Sequence, residues 1–204
     1  MESAPKIFLL SPASLTGERA RQLLSPEARF ATARRLRSRQ GVAIEEAFSF
    51  LSSLYFRGKV AYASRFAAPP DHLPAAGALI IAPGFGLVPF GWSLTRERVD
   101  VLRRTPVDLE HAAYCEPLRQ AALALGGELP AAAQVVLLGS IATGKYVDVL
   151  EPVFGERLLF PRDFAGAGDM RRGALLLRAV RAEEELEYVT LDAPRHASRQ
   201  GRRS

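Results

Sequence analysis

Four short, almost wholly apolar runs punctuate the chain: KIFLLSP (6–12), ALIIAP (78–83), AQVVLLG (133–139) and RLLFP (157–161). Each has the length of a strand rather than of a buried helix, and an unbroken apolar run predicts a strand covered on both faces. Helical sequence separates them. Strands alternating with helices predict an α/β fold, a three-layer α/β/α sandwich with a central, mostly parallel four-stranded sheet.

Between the runs, Ser25 before Pro26 marks a helix start, and Ala- and Arg-rich sequence continues it to about Arg39. A second helical stretch, AIEEAFSFLSSLYFRGKVAYASRF (43–66), spaces Phe48, Leu51, Tyr55, Val60 and Tyr62 for one apolar face, with Gly58 as a candidate break. Further helices are expected over 95–104, 109–126 and the KYVDVLEPVFG segment. The end, GALLLRAVRAEEELEYVTL, shows two strand-like runs around a charged turn and predicts a C-terminal hairpin.

The 204 residues suit one domain, assigned to 1–192, followed by a basic disordered tail over 193–204 that carries Arg195, Arg199, Arg202 and Arg203. No run approaches the ~20 apolar residues that span a bilayer, and the N-terminus lacks the pattern of a secretion signal. A cytoplasmic monomer with no membrane association is expected. A lone Cys115 and three scattered histidines leave no disulfide and few ligands for a metal, so neither a metal nor another cofactor is expected. The formal charge of +5 points to an anionic partner, with Arg29, Arg34, Arg35, Arg37 and Arg39 in one acid-free run.

In open α/β sheets, ligands sit beyond the carboxyl ends of the strands. Here those ends run into four loops, 11–18, 83–92, 139–146 and 161–169, which a parallel sheet would gather at one edge. In the third loop, Gly139, Gly144 and Lys145 stand at the spacing of a phosphate-binding P-loop. The position after the lysine is Tyr146, where that motif needs a small hydroxyl for magnesium, which argues against nucleotide triphosphate hydrolysis. What remains is a glycine turn opening a helix, suited to a single phosphate.

The segment IIAPGFGLVP is similar to the strand and GLVP loop of the uracil-DNA-glycosylase-like domain of archaeosine synthases, with Gly86, Leu87, Val88 and Pro89 as the sharp match. FLLSPAS and GSIATGKYVDVL resemble the first strand with its serine loop and a later strand, glycine and helix of that domain. The chain lacks the Cys and Lys-Pro-Tyr of the family's first loop, and the Gln-Asp-Pro-Tyr, Glu-Ala-Pro-Gly and His-Pro-Ser motifs of uracil-excising relatives. The resemblance therefore implies a DNA glycosylase-type hydrolase that flips out a modified base, such as a hypermodified phage base, and cuts its N-glycosidic bond as part of antiviral defence.

Such chemistry needs a carboxylate, and Asp163, Asp169 and Glu18 are the candidates, with Asp163 first because it follows the strand end directly. Ser11, Ser14, Gly84, Phe85, Gly86, Gly139, Ser140 and Lys145 from the loops, with Tyr55, Arg57 and Lys59 from the long helix, are candidates to hold base and phosphates in DNA. Each also has a structural reading as turn, cap or core. Two other classes stay open at this point, a non-catalytic nucleic-acid-binding protein and a nucleoside or tRNA base-modification enzyme.

Overall fold

The computed structural model describes residues 4–73 and 77–190; the tail expected over 193–204 lies outside the described residues. In chain order the elements are β1 (Lys6–Leu10), α1 (Glu18–Leu24), α2 (Ala31–Leu36), β2 (Val42–Ala43), α3 (Ile44–Phe66), β3 (Ala78–Ala82), β4 (Gly86–Pro89) and β5 (Ser93–Leu94). There follow α4 (Arg96–Arg104), α5 (Ala112–Glu128), β6 (Gln134–Leu138), α6 (Val147–Phe154), β7 (Leu158–Pro161), α7 (Asp169–Ala182) and β8 (Tyr188–Thr190).

All four apolar runs become strands, and they lie parallel in the order β3-β1-β6-β7. The sheet does not stop there. β4 pairs antiparallel with β3 at one edge and β8 antiparallel with β7 at the other, so the sheet is six-stranded and mixed rather than four-stranded. The GLVP segment that carries the family resemblance is the edge strand β4, where Pro89 is tolerated because no neighbour needs its missing N–H. A small two-stranded sheet pairs β2 with β5.

Side chains alternate across the central strands and feed two cores. Phe8, Leu10, Val136 and Leu138 pack with α3 and α7 on one face, whereas Ile7, Leu9, Val135 and Leu137 pack with α5 and α6 on the other. This doubly covered sheet explains why its strands read as unbroken apolar runs.

The C-terminal segment is not a hairpin. Residues 169–182 form α7, because Arg172, Gly173, Leu176 and Ala179 are buried at helical spacing against α3 and the sheet, and packing of that face overrides the strand-like look of ALLL. Glu183 ends the helix in the left-handed conformation (φ 57°), and the chain then adds β8 beside β7. The helix expected over 25–39 is also shorter. Ser25 Oγ accepts the Glu27 N–H, the Arg37 guanidinium takes the carbonyls of Ser25 and Ala28, and only Ala31–Leu36 is helical. Arg35 is committed to Glu46, leaving Arg29, Arg34 and Arg39 exposed without making a continuous basic helix.

Gly58 does not break α3, which runs unbroken for 23 residues. A Cβ at Gly58 would stand 3.0 Å from the Gly173 carbonyl oxygen, so the two glycines let α3 and α7 cross in near backbone contact. At the amino ends of the strands, the Leu186 N–H donates to Tyr62 Oη, which also bonds Tyr188 Oη at 2.7 Å. Tyr188 in turn donates to Glu185, which pairs with Lys6, and this network fastens the last strand to the sheet.

Candidate functional site

In the sheet β1 lies between β3 and β6, and the chain leaving β1 crosses to the α3 face while the chain leaving β6 crosses to the α6 face. The two loops therefore diverge and open a crevice at the carboxyl ends of the strands, the place such sheets bind ligands. A cleft of about 410 Å³ occupies it, a volume in the range of small-molecule sites. Its lining comes from four places: Ser11, Ser14, Glu18 and Arg19 after β1, Tyr55 on α3, Ser140 and Tyr146 after β6, and Asp169 and Arg172 of α7. A second cleft of about 490 Å³, lined by Phe48, Leu102, Arg103, Thr105 and Val107, adjoins it across Pro12–Ser14 and Tyr146.

The floor is tightly built. Ser11 is buried; its N–H donates to the Leu138 carbonyl at 3.2 Å and its hydroxyl approaches the same oxygen at 3.3 Å. Gly139 makes room for it, since a Cβ there would stand 3.0 Å from Ser11 Cβ. From below, Lys59 Nζ donates to the Ser11 carbonyl at 2.7 Å and contacts Ser11 Oγ at 2.9 Å. The ammonium also lies 4.3 Å from the Tyr55 ring centroid and 4.8 Å from that of Phe56. Burial pulls the Lys59 pKa down to about 7; Asp169 raises it and Arg172 lowers it, by less.

Arg172 is 7 % exposed; its Nε and one terminal nitrogen reach the Phe164 carbonyl, while the other contacts Asp169 Oδ1 at 3.5 Å. Tyr55 is 5 % exposed, and its hydroxyl is buried near Arg172 with no hydrogen bond of ordinary geometry to any described residue. Such a hydroxyl is costly to bury unless something completes it. Burial holds the Tyr55 phenol well above its usual range, and burial, then Asp169, pushes Tyr146 up to about 12. Both tyrosines are thus neutral hydrogen-bonding groups at ordinary pH.

Of the sequence candidates, the fold brings together Ser11, Ser14, Glu18, Tyr55, Ser140 and Asp169 along the cleft, with Gly139 and Lys59 directly behind Ser11. Others lie elsewhere. Asp163 is exposed and outside the cleft lining, because the short 3-10 turn at 162–164 buries Phe164 and turns its neighbours out. Arg57 is exposed, one position beyond the inward-facing pair Tyr55 and Phe56. Gly84, Phe85 and Gly86 build the β3–β4 turn: Gly84 and Gly86 have positive φ, a Cβ on Gly86 would stand 2.4 Å from the Pro117 carbonyl oxygen, and Phe85 packs edge-on against Trp92. Lys145 is exposed, and its carbonyl accepts the Tyr114 hydroxyl at 2.7 Å. The carboxylate of Asp148 lies against Gly144, so a negative charge already occupies the mouth of that turn and opposes a phosphate there. Glu18 is paired with Arg21 at the surface.

Arg172 and Tyr146 were missed by sequence reasoning. The first was hidden by the hairpin expectation for its segment, although RRGALLLRAV also satisfies helical spacing; the second was weighed only as an obstacle to a P-loop. Among the described residues no cluster of three or more His, Cys, Asp or Glu is placed to hold a metal, and no helix is long and apolar enough to cross a membrane. The chain matches no protein-family model, no curated protein and no solved structure.

Proposed function

We propose that the chain is a base-excising hydrolase of N-glycosidic bonds that acts on a modified base in DNA, with a three-layer fold akin to the uracil-DNA-glycosylase superfamily. The observation that carries this reading is the convergence of the Asp169 carboxylate and the buried Arg172 with Tyr55 and Tyr146 in one cleft. The partly exposed Tyr146 would offer its ring to a flipped base, with the buried Tyr55 as the wall behind it. A carboxylate beside them stabilises the cationic sugar that forms as the base departs, or positions the attacking water. Asp169 takes the catalytic role that sequence order gave first to Asp163, and Glu18 is secondary because Arg21 holds it. Ser14, Ser140 and Arg19 also line the cleft and would hold flanking phosphates. The adjoining cleft under Leu102 and Val107 would take the bulk of a modified base.

The enzyme would need no cofactor and would work as a monomer in the cytoplasm, with invading phage DNA bearing altered bases as one source of substrate. The test uses purified protein and duplex DNAs carrying ordinary or hypermodified bases, followed by alkali, which cuts at abasic sites. Breaks confined to one modified DNA, retained by Asp163→Ala and lost in Asp169→Asn, are the expected result. Intact DNA throughout, with tight salt-sensitive binding, would replace the enzyme by a binding protein.

A further inference from the structure

We propose that Ser11 and Lys59 form a nucleophile and general-base pair, giving the cleft an acyl-transfer activity on an ester or amide group in addition to base excision. This goes beyond the glycosylase reading and uses different atoms of the same cleft.

A serine nucleophile requires a base within hydrogen-bond reach, and a third group that fixes the base. Lys59 Nζ lies 2.9 Å from Ser11 Oγ and is fixed by the Ser11 carbonyl at 2.7 Å and by the rings of Tyr55 and Phe56. The lysine is fully buried, and no carboxylate pairs with it among the described residues. A structural lysine at such depth ordinarily has an acid beside it, because burying an unpaired ammonium is costly. Lysine escapes the cost by losing its proton, and the amine is then a base. The titratable and charged groups facing it are Asp169 and Arg172 of α7 and Tyr55 of its own helix, and their effects are smaller than that of burial, which brings its pKa down to about 7. The Ser11 hydroxyl has a weak competing acceptor. Its approach to the Leu138 carbonyl is 3.3 Å, longer than an ordinary O–H···O bond, and that oxygen already accepts the Ser11 N–H. Ser11 lines the floor of the cleft, with Nζ of the fully buried Lys59 within hydrogen-bond reach of its Oγ.

The step balances within the pair. Ser11 Oγ bonds to the carbonyl carbon as its proton passes to Lys59 Nζ. The tetrahedral oxyanion would lie in a cleft lined by Tyr55 and Arg172, two side chains that carry hydrogen-bond donors. The C–O or C–N bond then breaks, and the departing alcohol or amine takes the proton from Lys59. Water hydrolyses the acyl-serine by the same proton path in reverse, releasing a carboxylic acid and restoring Ser11.

The test treats the full chain with a fluorophosphonate probe, which phosphorylates an activated serine with loss of fluoride, and in parallel with p-nitrophenyl acetate. Expected are an adduct on the peptide containing Ser11 and ester hydrolysis with a burst, both with rates that rise with pH around a midpoint near 7. Ser11→Ala abolishes the adduct. Lys59→Arg keeps the cation and most of the packing but cannot serve as a base, and lowers both rates by about 100-fold or more. Circular dichroism and thermal melting verify that each variant folds. Wild-type protein that gives neither an adduct at Ser11 nor ester hydrolysis overturns the proposal without reference to any variant. An adduct formed equally fast in Lys59→Arg overturns the role of the lysine. Neither readout depends on excision of a base, so the two proposals stand or fall separately.

Discussion

The Cα of Gly173 lies so close to Tyr55 that a Cβ added to it would stand 2.9 Å from the Tyr55 Cα and 3.0 Å from the Tyr55 nitrogen. Both atoms of α3 are backbone, and a helix backbone cannot yield as the tip of a side chain can. Gly173→Ala is therefore expected to cost about 1–3 kcal/mol of stability, the range for overpacking. A Gly127→Ala control, at a glycine with nothing within 4 Å, should cost nothing. Denaturant titration of the two variants decides the matter, and equal midpoints would show that the helices are not in close contact.

The same crossing fixes Tyr55 in the cleft, and its hydroxyl is buried near Arg172 without a hydrogen bond of ordinary geometry to any described residue. Removing an unsatisfied buried hydroxyl relieves its desolvation, so Tyr55→Phe should leave stability unchanged or raise it by about 1 kcal/mol. Ligand binding or turnover should fall in the same variant. Gain of stability with loss of function is the signature of a group kept for a ligand. A destabilised Phe variant would instead mean that the hydroxyl is satisfied within the fold.

The central sheet was legible because strands covered on both faces must be apolar at every position, as KIFLL and QVVLL are. Its edges were not. YVT and GLVP are short and half-exposed, and their strand pairing is set by the neighbours β7 and β3 rather than by their own sequence. Helix α7 was misread because its apolar residues are contiguous as well as helically spaced, and only contact with α3 decides between the two. Strand order brings the loops after β1, β6 and β7 to one edge, with Ser11, Ser140 and Asp169 along the cleft, whereas Gly84, Phe85 and Gly86 of the loop after β3 lie outside its lining. Which side chain of each loop faces the cleft depends on local turns, and the 3-10 turn that excludes Asp163 leaves no mark in RDF.

At the opposite end of the sheet, Tyr62 Oη accepts the Leu186 N–H at 2.8 Å and meets Tyr188 Oη at 2.7 Å. Tyr62 is fully buried, and its ring stands edge-on to Phe8 at 5.6 Å. Tyr62→Phe retains the ring contacts but leaves the Leu186 amide without its acceptor, while the Tyr188 hydroxyl keeps its bond to Glu185, so a loss of about 1–3 kcal/mol is expected. Because the network ties down the segment leading to β8, faster amide exchange should appear at Leu186 and Tyr188 before it appears in β1. Uniform acceleration through the sheet would argue that β8 does not open independently.

Lys59 links stability to pH in a direction opposite to that of a paired lysine. Its pKa falls from an unfolded value of 10.5 to about 7 in the fold. Between these values the unfolded chain holds a proton that the folded chain has released, so stability rises with pH across this window. Below about 7 both states are protonated, and the full cost of burying the ammonium is present. The slope contributed by this one group is at most about 1.4 kcal/mol per pH unit. Urea unfolding of wild type should therefore show a midpoint that climbs from neutral pH toward pH 10, and Lys59→Met, which fills the same space without a titrating group, should flatten that climb. A wild-type profile that is flat or falls over the window would place Lys59 as a permanently charged group, held by the Ser11 oxygens and the rings of Tyr55 and Phe56.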